Sequence, residues 1–342
     1  MEIGIIGLPQ SGKSTIFEIM TTIPSQGVHE PFTRGQAVVS DERLEHIARS
    51  FASRSVVPAK ITCVDVNATG EKAWERLRQH LSAAVGLIHV VDAFSTSTKR
   101  EIIANYKKLN DEMIISDLLI AEGRLQRLAK MAKMALKPID VIQMQILPAV
   151  VEHLEAGKLL TTMTLTAAER SALKSFSFWS IKPQLVVINI AETEIGKASL
   201  PPLAEEAAAP MVVICAKTEL ELLSLPVAER QDFLEVLGIE QPAFGKLVSH
   251  AFTLLEQICF FTAGEKESRA WLTERGSKAP RAAGVIHKDF ERGFIKAEVI
   301  GYQDFLACNS SLTKVKEAGK FRLEGKEYIV QEGDIITFRF NV

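Results

Sequence analysis

Residues 1–15 read MEIGIIGLPQSGKST. Ile3, Ile5 and Ile6 form a short apolar run, followed by Gly7, a four-residue polar loop, Gly12, Lys13 and Ser14. This is the pattern GxxxxGK[ST], set between a strand and a helix. Gly7 and Gly12 let the backbone curl so that successive N–H groups face inward as an anion nest. The helix that follows adds the positive end of its dipole. Lys13 is then placed to reach the β and γ phosphates, and the Ser14 hydroxyl to ligate Mg²⁺. Gln10, Ser11, Gly12 and Thr15 complete the cradle. The alternative, a glycine turn carrying an exposed lysine, leaves the complete motif and its placement unexplained.

The same texture spreads outward from this loop. KITCVDV at 60–66, VGLIHVV at 85–91, PQLVVINIAE at 183–192 and PMVVICAKTE at 210–219 alternate with helical patterns. Apolar strands joined by helices predict an α/β fold with a mostly parallel sheet. Length supports more than one domain: 342 residues exceed what a single core usually organises. With 47% hydrophobic and 24% charged residues and a formal net charge of -2, the composition is that of an ordinary globular protein. No apolar run reaches ~18 residues, so no membrane span is expected. The start of the chain lacks the basic and apolar regions of a secretory signal. Cys63, Cys215, Cys259 and Cys308 are scattered, without a CxxC pair, as small buried filler in a reducing cytoplasm would be.

Two segments interrupt or follow the α/β pattern. In residues 99–180, Leu118, Ala121, Leu125, Leu128, Ala132 and Ala135 follow a 3-4 spacing, which Met144, Leu147, Val151 and Leu154 repeat after a break near Pro138. The spacing predicts an antiparallel helical hairpin, either a short coiled coil or a pair of core helices, with Pro148 kinking the second arm. From 258 onward, GFIKAEVIGY, KEYIVQ and DIITFRFNV predict a small α+β unit. The domains are therefore expected at 1–98 plus 181–257, at 99–180, and at 258–342. Both appendages are mildly basic, with 12 Lys+Arg against 9 Asp+Glu and 14 against 12, whereas the remainder is acidic. That balance permits nucleic-acid contact by the appendages. Lys288, Arg292, Lys296, Arg322 and His287 either form such a face or solvate a small sheet. The aromatic residues Phe260, Phe261, Trp271, Phe294, Tyr328, Phe338 and Phe340 are expected in the core rather than as base-stacking platforms.

A nucleotide site needs more than a cradle. Asp65 ends an apolar strand, where it is either a second carboxylate for the Mg²⁺ shell or a solvated strand-end acid. Thr33, in the loop HEPFTRG, is either placed to sense the γ-phosphate through the metal or an ordinary loop threonine. Asn189 and Glu192 end a strand where a guanine-binding protein reads its base, and Cys215, Ala216 and Lys217 end the next. His89 belongs to a strand and is expected in the core.

GLPQSGKST, NIAE in place of the guanine-reading NKxD, CAKTE, and the long stretch FFTAGEKESRAW…APRAAGVIHKDFERGFIKAEVI…EAGKFRLEGKEYIVQEGDIITFRFNV resemble the YchF/Obg-like ATPase family over essentially the whole chain. The resemblance implies a Ras-like P-loop domain with an inserted helical hairpin and a C-terminal TGS domain of β-grasp type. It also implies a cytoplasmic protein that binds ATP at least as well as GTP and associates with the ribosome or rRNA. The base choice has a physical reason: the short aspartate of NKxD accepts two bonds from guanine, and Glu192 breaks that match. The oligomeric state stays open, with a monomer favoured over pairing of the helical hairpin between chains.

The chain departs from the family at the parts that surround the attacking water. The motif DIAGL is Asp65-Val66-Asn67-Ala68-Thr69 here, with Ala68 in place of the glycine. The P-loop asparagine is Gln10, and FSTSTKREIIANYKK carries no histidine where the family has its catalytic candidate. Thr69 is the one remaining weak candidate for orienting water. Two functions stay open: a slow ATPase acting as a ribosome-associated switch, and a degenerate, non-hydrolysing nucleotide-binding scaffold on the ribosome. A P-loop kinase has no use for paired base-reading strands.

Overall fold

A computed structural model of the chain describes residues 2–24, 32–66, 73–96, 98–131, 136–197, 203, 207 and 209–341, with the side chains of 73–76 outside the description. The chain divides into two compact units, Met1–Gly35 with Thr62–Ala251, and Gln36–Ile61 with Phe252–Val342.

Strands are numbered in chain order. The first sheet contains β1 (Glu2–Gly7), β2 (Phe32–Val39), β4 (Ala59–Val66), β5 (Ala84–Ala93), β6 (Gln184–Ile190) and β7 (Met211–Ile214), in the order β2-β4-β1-β5-β6-β7. The pairs β4–β1, β1–β5, β5–β6 and β6–β7 are all parallel. β1 is central and apolar because both its neighbours and both its faces are covered; Ile3 and Ile5 are fully buried. The order runs away from β1 in both directions, which places the loop after β1 at the topological switch point where α/β sheets bind ligands.

Helix Lys99–Met131 has 33 residues and so spans about 50 Å. It lies in two environments. Leu109 and Met113 pack with Val64, Leu81 and Trp179, and Ile102 and Tyr106 with Val186 and Ile188. Further along, Ile114, Ala121 and Leu128 join Ile146, Leu147, Val150 and Leu154 of helix Pro138–Glu155. This is the expected hairpin, with Leu118, Leu125 and Val151 partly buried against its core. Two details of its seam differ from expectation. Met144 is exposed, and the segment is more than two arms, because Leu160, Leu173 and Phe178 close the same cluster. Helix Pro138–Glu155 runs on through Pro148. Ala132 and Ala135 lie outside the described residues.

The base of the hairpin is fastened by a buried acid. Asp117 is fully buried and accepts hydrogen bonds from Trp179 N (3.1 Å), Ser180 N (2.8 Å) and Ser180 Oγ (2.8 Å). Arg78, on helix Ala73–Leu81, completes its shell at 3.2 Å and donates to Ser116 Oγ at 2.6 Å. Lys182 donates to the carbonyls of Leu81, Ser82 and Ala84, capping the C-terminus of that same helix.

The second sheet contains β3 (Val56–Val57), β8 (Gln257–Thr262), β9 (Ser268–Glu274), β10 (Phe294–Gly301), β11 (Arg322–Glu324) and β12 (Asp334–Phe340), in the order β11-β10-β12-β8-β9-β3. The hairpin β8–β9, a helix at Ala279–Ile286, and β12 parallel to β8 and antiparallel to β10 make a β-grasp core. One face packs Phe260, Val299 and Ile336 under Ala279, Ala282 and Ala283. The other face packs Phe261, Ile300 and Ile335 against Leu44 and Ile47 of helix Glu42–Ser50 and against Phe305. Arg43 and His46 pin that helix: Arg43 reaches Glu332 at 2.5 Å, and the His46 ring nitrogens meet Tyr302 Oη (3.3 Å) and Ser310 Oγ (3.2 Å). The C-terminal aromatics are mostly core, as expected, with Phe340 the exposed exception. Arg322 is paired with Glu324 and Asp334.

Candidate functional site

The cradle after β1 has the curled backbone its sequence requires. Gly12 (φ 94°) N-caps helix Lys13–Thr21, and Gln10 also has positive φ (64°). A Cβ on Gly12 would run into Asn189 Nδ2, and one on Gly7 would stand 2.5 Å from Val90 O. Both positions therefore need glycine for space, and Gly12 needs it for conformation as well. Gly7, Pro9, Gln10, Gly12, Lys13, Ser14 and Thr15 line a cavity of about 610 Å³. Ser11 is fully buried behind them.

Lys13 Nζ donates to Leu8 O at 2.8 Å, which leaves two of its three N–H donors for an anion in the cradle. Burial lowers the ammonium pKa, and the nearby Asp65 charge opposes that shift. Ser14 Oγ donates to Asp65 Oδ2 at 2.7 Å. Asp65 is buried at the end of β4, and burial pushes its carboxyl pKa up against the pull of Ser14 and Lys13. Among the described residues its other oxygen, Oδ1, is buried with no hydrogen bond of normal geometry. A carboxylate oxygen in that position beside a hydroxyl fits a hard, oxygen-seeking cation, and a P-loop Mg²⁺ takes few protein ligands, the rest being phosphate and water. Ser14 and Asp65 would hold it. Thr33 is on strand β2 and not in the loop expected from sequence; β2 is the neighbour of Asp65's strand.

The base-side residues come together next. Asn189, buried at the end of β6, donates from Nδ2 to Ser11 O (3.1 Å) and accepts at Oδ1 from Ala216 N (3.0 Å). It is the brace that holds the phosphate loop to the loop after β7. Glu192 lies past the strand in a short 3₁₀ turn, and Cys215 caps helix Ala216–Ser224, so Ala216 and Lys217 are helical rather than strand-terminal as expected. Lys217 Nζ is 2.7 Å from Glu192 Oε2. The Cys215 thiol is buried and accepts from Thr218 Oγ1 at 3.2 Å.

Leu77, Phe94 and Leu109 also line the phosphate cavity, and sequence reasoning missed all three. Leu109 comes from the long helix of the insertion, and only its burial pattern could have flagged it. Among the described lining residues none carries a carboxylate or an imidazole. His89 is core as expected: burial lowers its pKa to about 4, and its ring stacks on Tyr106. Thr69 lies outside the described residues. Among those described, no group of three or more His, Cys, Asp and Glu gathers for a metal, and no helix is long and apolar enough to cross a membrane.

Comparison with known proteins agrees with this geometry. The family model YchF-GTPase_C, described as a protein of unknown function (DUF933), matches residues 257–341. The chain is 37% identical to the Ribosome-binding ATPase YchF of Bacillus subtilis, with 99% of each chain covered. Identity is 35% to the protein of the same name from Haemophilus ducreyi and 32% to that of Escherichia coli O157:H7, each again with 99% of both chains covered. Among solved structures, the Schizosaccharomyces pombe YchF GTPase matches in fold with a TM-score of 0.85 at 24% identity, over 99% of this chain and 97% of that one. A nucleotide cradle at the switch point, a helical insertion, a β-grasp unit and end-to-end similarity lead to one conclusion: the chain belongs to the YchF family.

Proposed function

We propose that this protein binds ATP, and GTP no better, with Mg²⁺ at the loop of residues 7–14, hydrolyses it slowly, and uses the nucleotide state to regulate its association with the ribosome in the cytoplasm. The observation that carries the reading is the pair Ser14–Asp65, whose second carboxylate oxygen has no hydrogen bond of normal geometry among the described residues, beside a lysine held at the mouth of the cradle. Magnesium would supply charge neutralisation at the β and γ phosphates. Lys13 would bind and orient the same phosphates, and the apolar wall of Leu77, Phe94 and Leu109 would exclude bulk water. Turnover is slow on this reading because Ala68 stands where the family has its glycine and the stretch after β5 carries no histidine. Ribosome association follows the names of the relatives, which share the full length of the chain.

Calorimetry of ATP, GTP and ADP with Mg²⁺ tests the first half. Lys13→Ala should abolish triphosphate binding at micromolar protein while leaving the unfolding free energy within about 1 kcal/mol of wild type, as expected for a side chain with one backbone hydrogen-bond partner. Retained binding in that variant sinks the reading. Ribosome co-sedimentation with ATP and with ADP tests the second half, and equal recovery in both states argues for a passive scaffold.

A further inference from the structure

Helix Ala73–Leu81 meets a different part of the molecule at each step of its second half. Leu77 lines the phosphate cavity. Arg78 donates to Ser116 Oγ at 2.6 Å and to Asp117 Oδ1 at 3.2 Å, both on helix Lys99–Met131, and to Ser177 O at 3.3 Å. The His80 ring stacks on Phe32 of β2 with centroids 4.2 Å apart. The long helix reaches the same cavity through Leu109, about 12 Å back along its axis from Asp117. Leu77 and Leu109 also share one apolar cluster. These two wall side chains therefore stand on separate helices, and Arg78 ties those helices together.

We propose that Arg78 is a positioning residue for the terminal phosphate of a nucleoside triphosphate: by fastening helix Ala73–Leu81 to Asp117 it fixes the spacing of Leu77 and Leu109, and so the closure of the cavity wall. The proposal rests on the nucleotide-binding reading above. The loop amides serve the α and β phosphates, so a diphosphate draws its hold from residues 7–14, whereas a third phosphate depends also on the rest of the lining. A wall of two leucines keeps water from that end, which strengthens the pull of Lys13 on the added charge. Apolar contact between the helices is non-directional. A guanidinium fork that holds a hydroxyl, a carboxylate and a carbonyl sets direction as well as distance. The far end of the link is secured independently, since Asp117 is fully buried and keeps Trp179 N, Ser180 N and Ser180 Oγ when Arg78 is removed.

Equilibrium binding of ATP and of ADP to the full chain, with Mg²⁺, tests this in wild type, Arg78→Met, Arg78→Lys and Leu128→Ala. The ATP-to-ADP affinity ratio should fall about fivefold in Arg78→Met, the low end of coupling between linked sites. Arg78→Lys still pairs with Asp117 and should recover most of that ratio. Leu128→Ala opens a fully buried position in the hairpin core, about 16 Å along the helix from Asp117. It should lower the unfolding midpoint and keep the wild-type ratio. In the wild type itself, ATP should slow hydrogen exchange at residues 77–81 and 113–118 more than ADP does, a measurement that needs no variant to fold. A wild-type ratio in Arg78→Met, an equal fall in Arg78→Lys or in Leu128→Ala, or equal protection by the two nucleotides overturns the proposal while leaving nucleotide binding intact. Failure of wild type to bind either nucleotide overturns the underlying reading as well.

Discussion

Asn189 is engaged on both sides by backbone, and that gives it a larger part than its place in a base-reading motif suggests. Its amide joins Ser11 O to Ala216 N, so truncation to alanine leaves a buried carbonyl and a buried N–H unpaired. Each such loss costs about 1–3 kcal/mol. Asn189→Ala is expected to weaken ATP and GTP binding together, by about tenfold or more, with their ratio unchanged. Paired titrations of the two nucleotides check this, and a selective loss of one would show that Asn189 reads the base directly. The residue type at 189 was legible in the sequence as part of NIAE. Its partner was not, because Ser11 is 178 positions away and only the parallel sheet brings the two together.

At the scale of the element, helix Lys99–Met131 shows why periodicity under-reads a long helix. One stripe, carrying Ala121 and Leu128, was visible as a 3-4 spacing because its partners lie in the next helix. The earlier turns carry Ile102, Tyr106, Leu109 and Met113 toward the sheet, and their spacing alone does not say which layer they meet. Between the two environments sits Asp117, with four donors around it. Asp117→Ala would strand the Trp179 and Ser180 amides and leave Arg78 without its buried partner. A loss of about 3–5 kcal/mol is expected, which is what breaking one side of a buried pair costs. Denaturant unfolding measures it, and a change under 1 kcal/mol would mean that water or a neighbour takes over the shell.

For the whole molecule, the division of the chain is the main lesson. Helix Glu42–Ser50 and β3 lie between β2 and β4 in sequence, yet they belong to the unit that contains the β-grasp sheet. Leu44, Ile47 and Ala59 bury their side chains in a core built with Phe261, Phe305 and Ile335. A chain ended at Ala251 should leave those residues uncovered, at roughly 1.5–3 kcal/mol for each large apolar side chain. Hydrogen exchange over residues 42–50 should then lose its protection, and the truncated protein should bind hydrophobic dyes. Full protection in the shortened chain would mean that this helix folds without the C-terminal strands.

Some of this was written locally. GxxxxGK[ST] after an apolar strand specifies its own backbone, since two glycines, a helix start and a lysine need no distant partner to form a nest. Alternating apolar strands and helices likewise announce an α/β sheet, and the heptad-like spacing announces a hairpin. What only the tertiary structure decided is whom each side chain meets: Asn189 with Ser11, Lys217 with Glu192, Leu109 with the phosphate cavity, and Gln36–Ile61 with strands more than 190 residues further on. Local pattern reports which face of an element is apolar or charged. It carries no address for the partner, because burial and ion pairing reward any complementary surface, and the topology alone selects one.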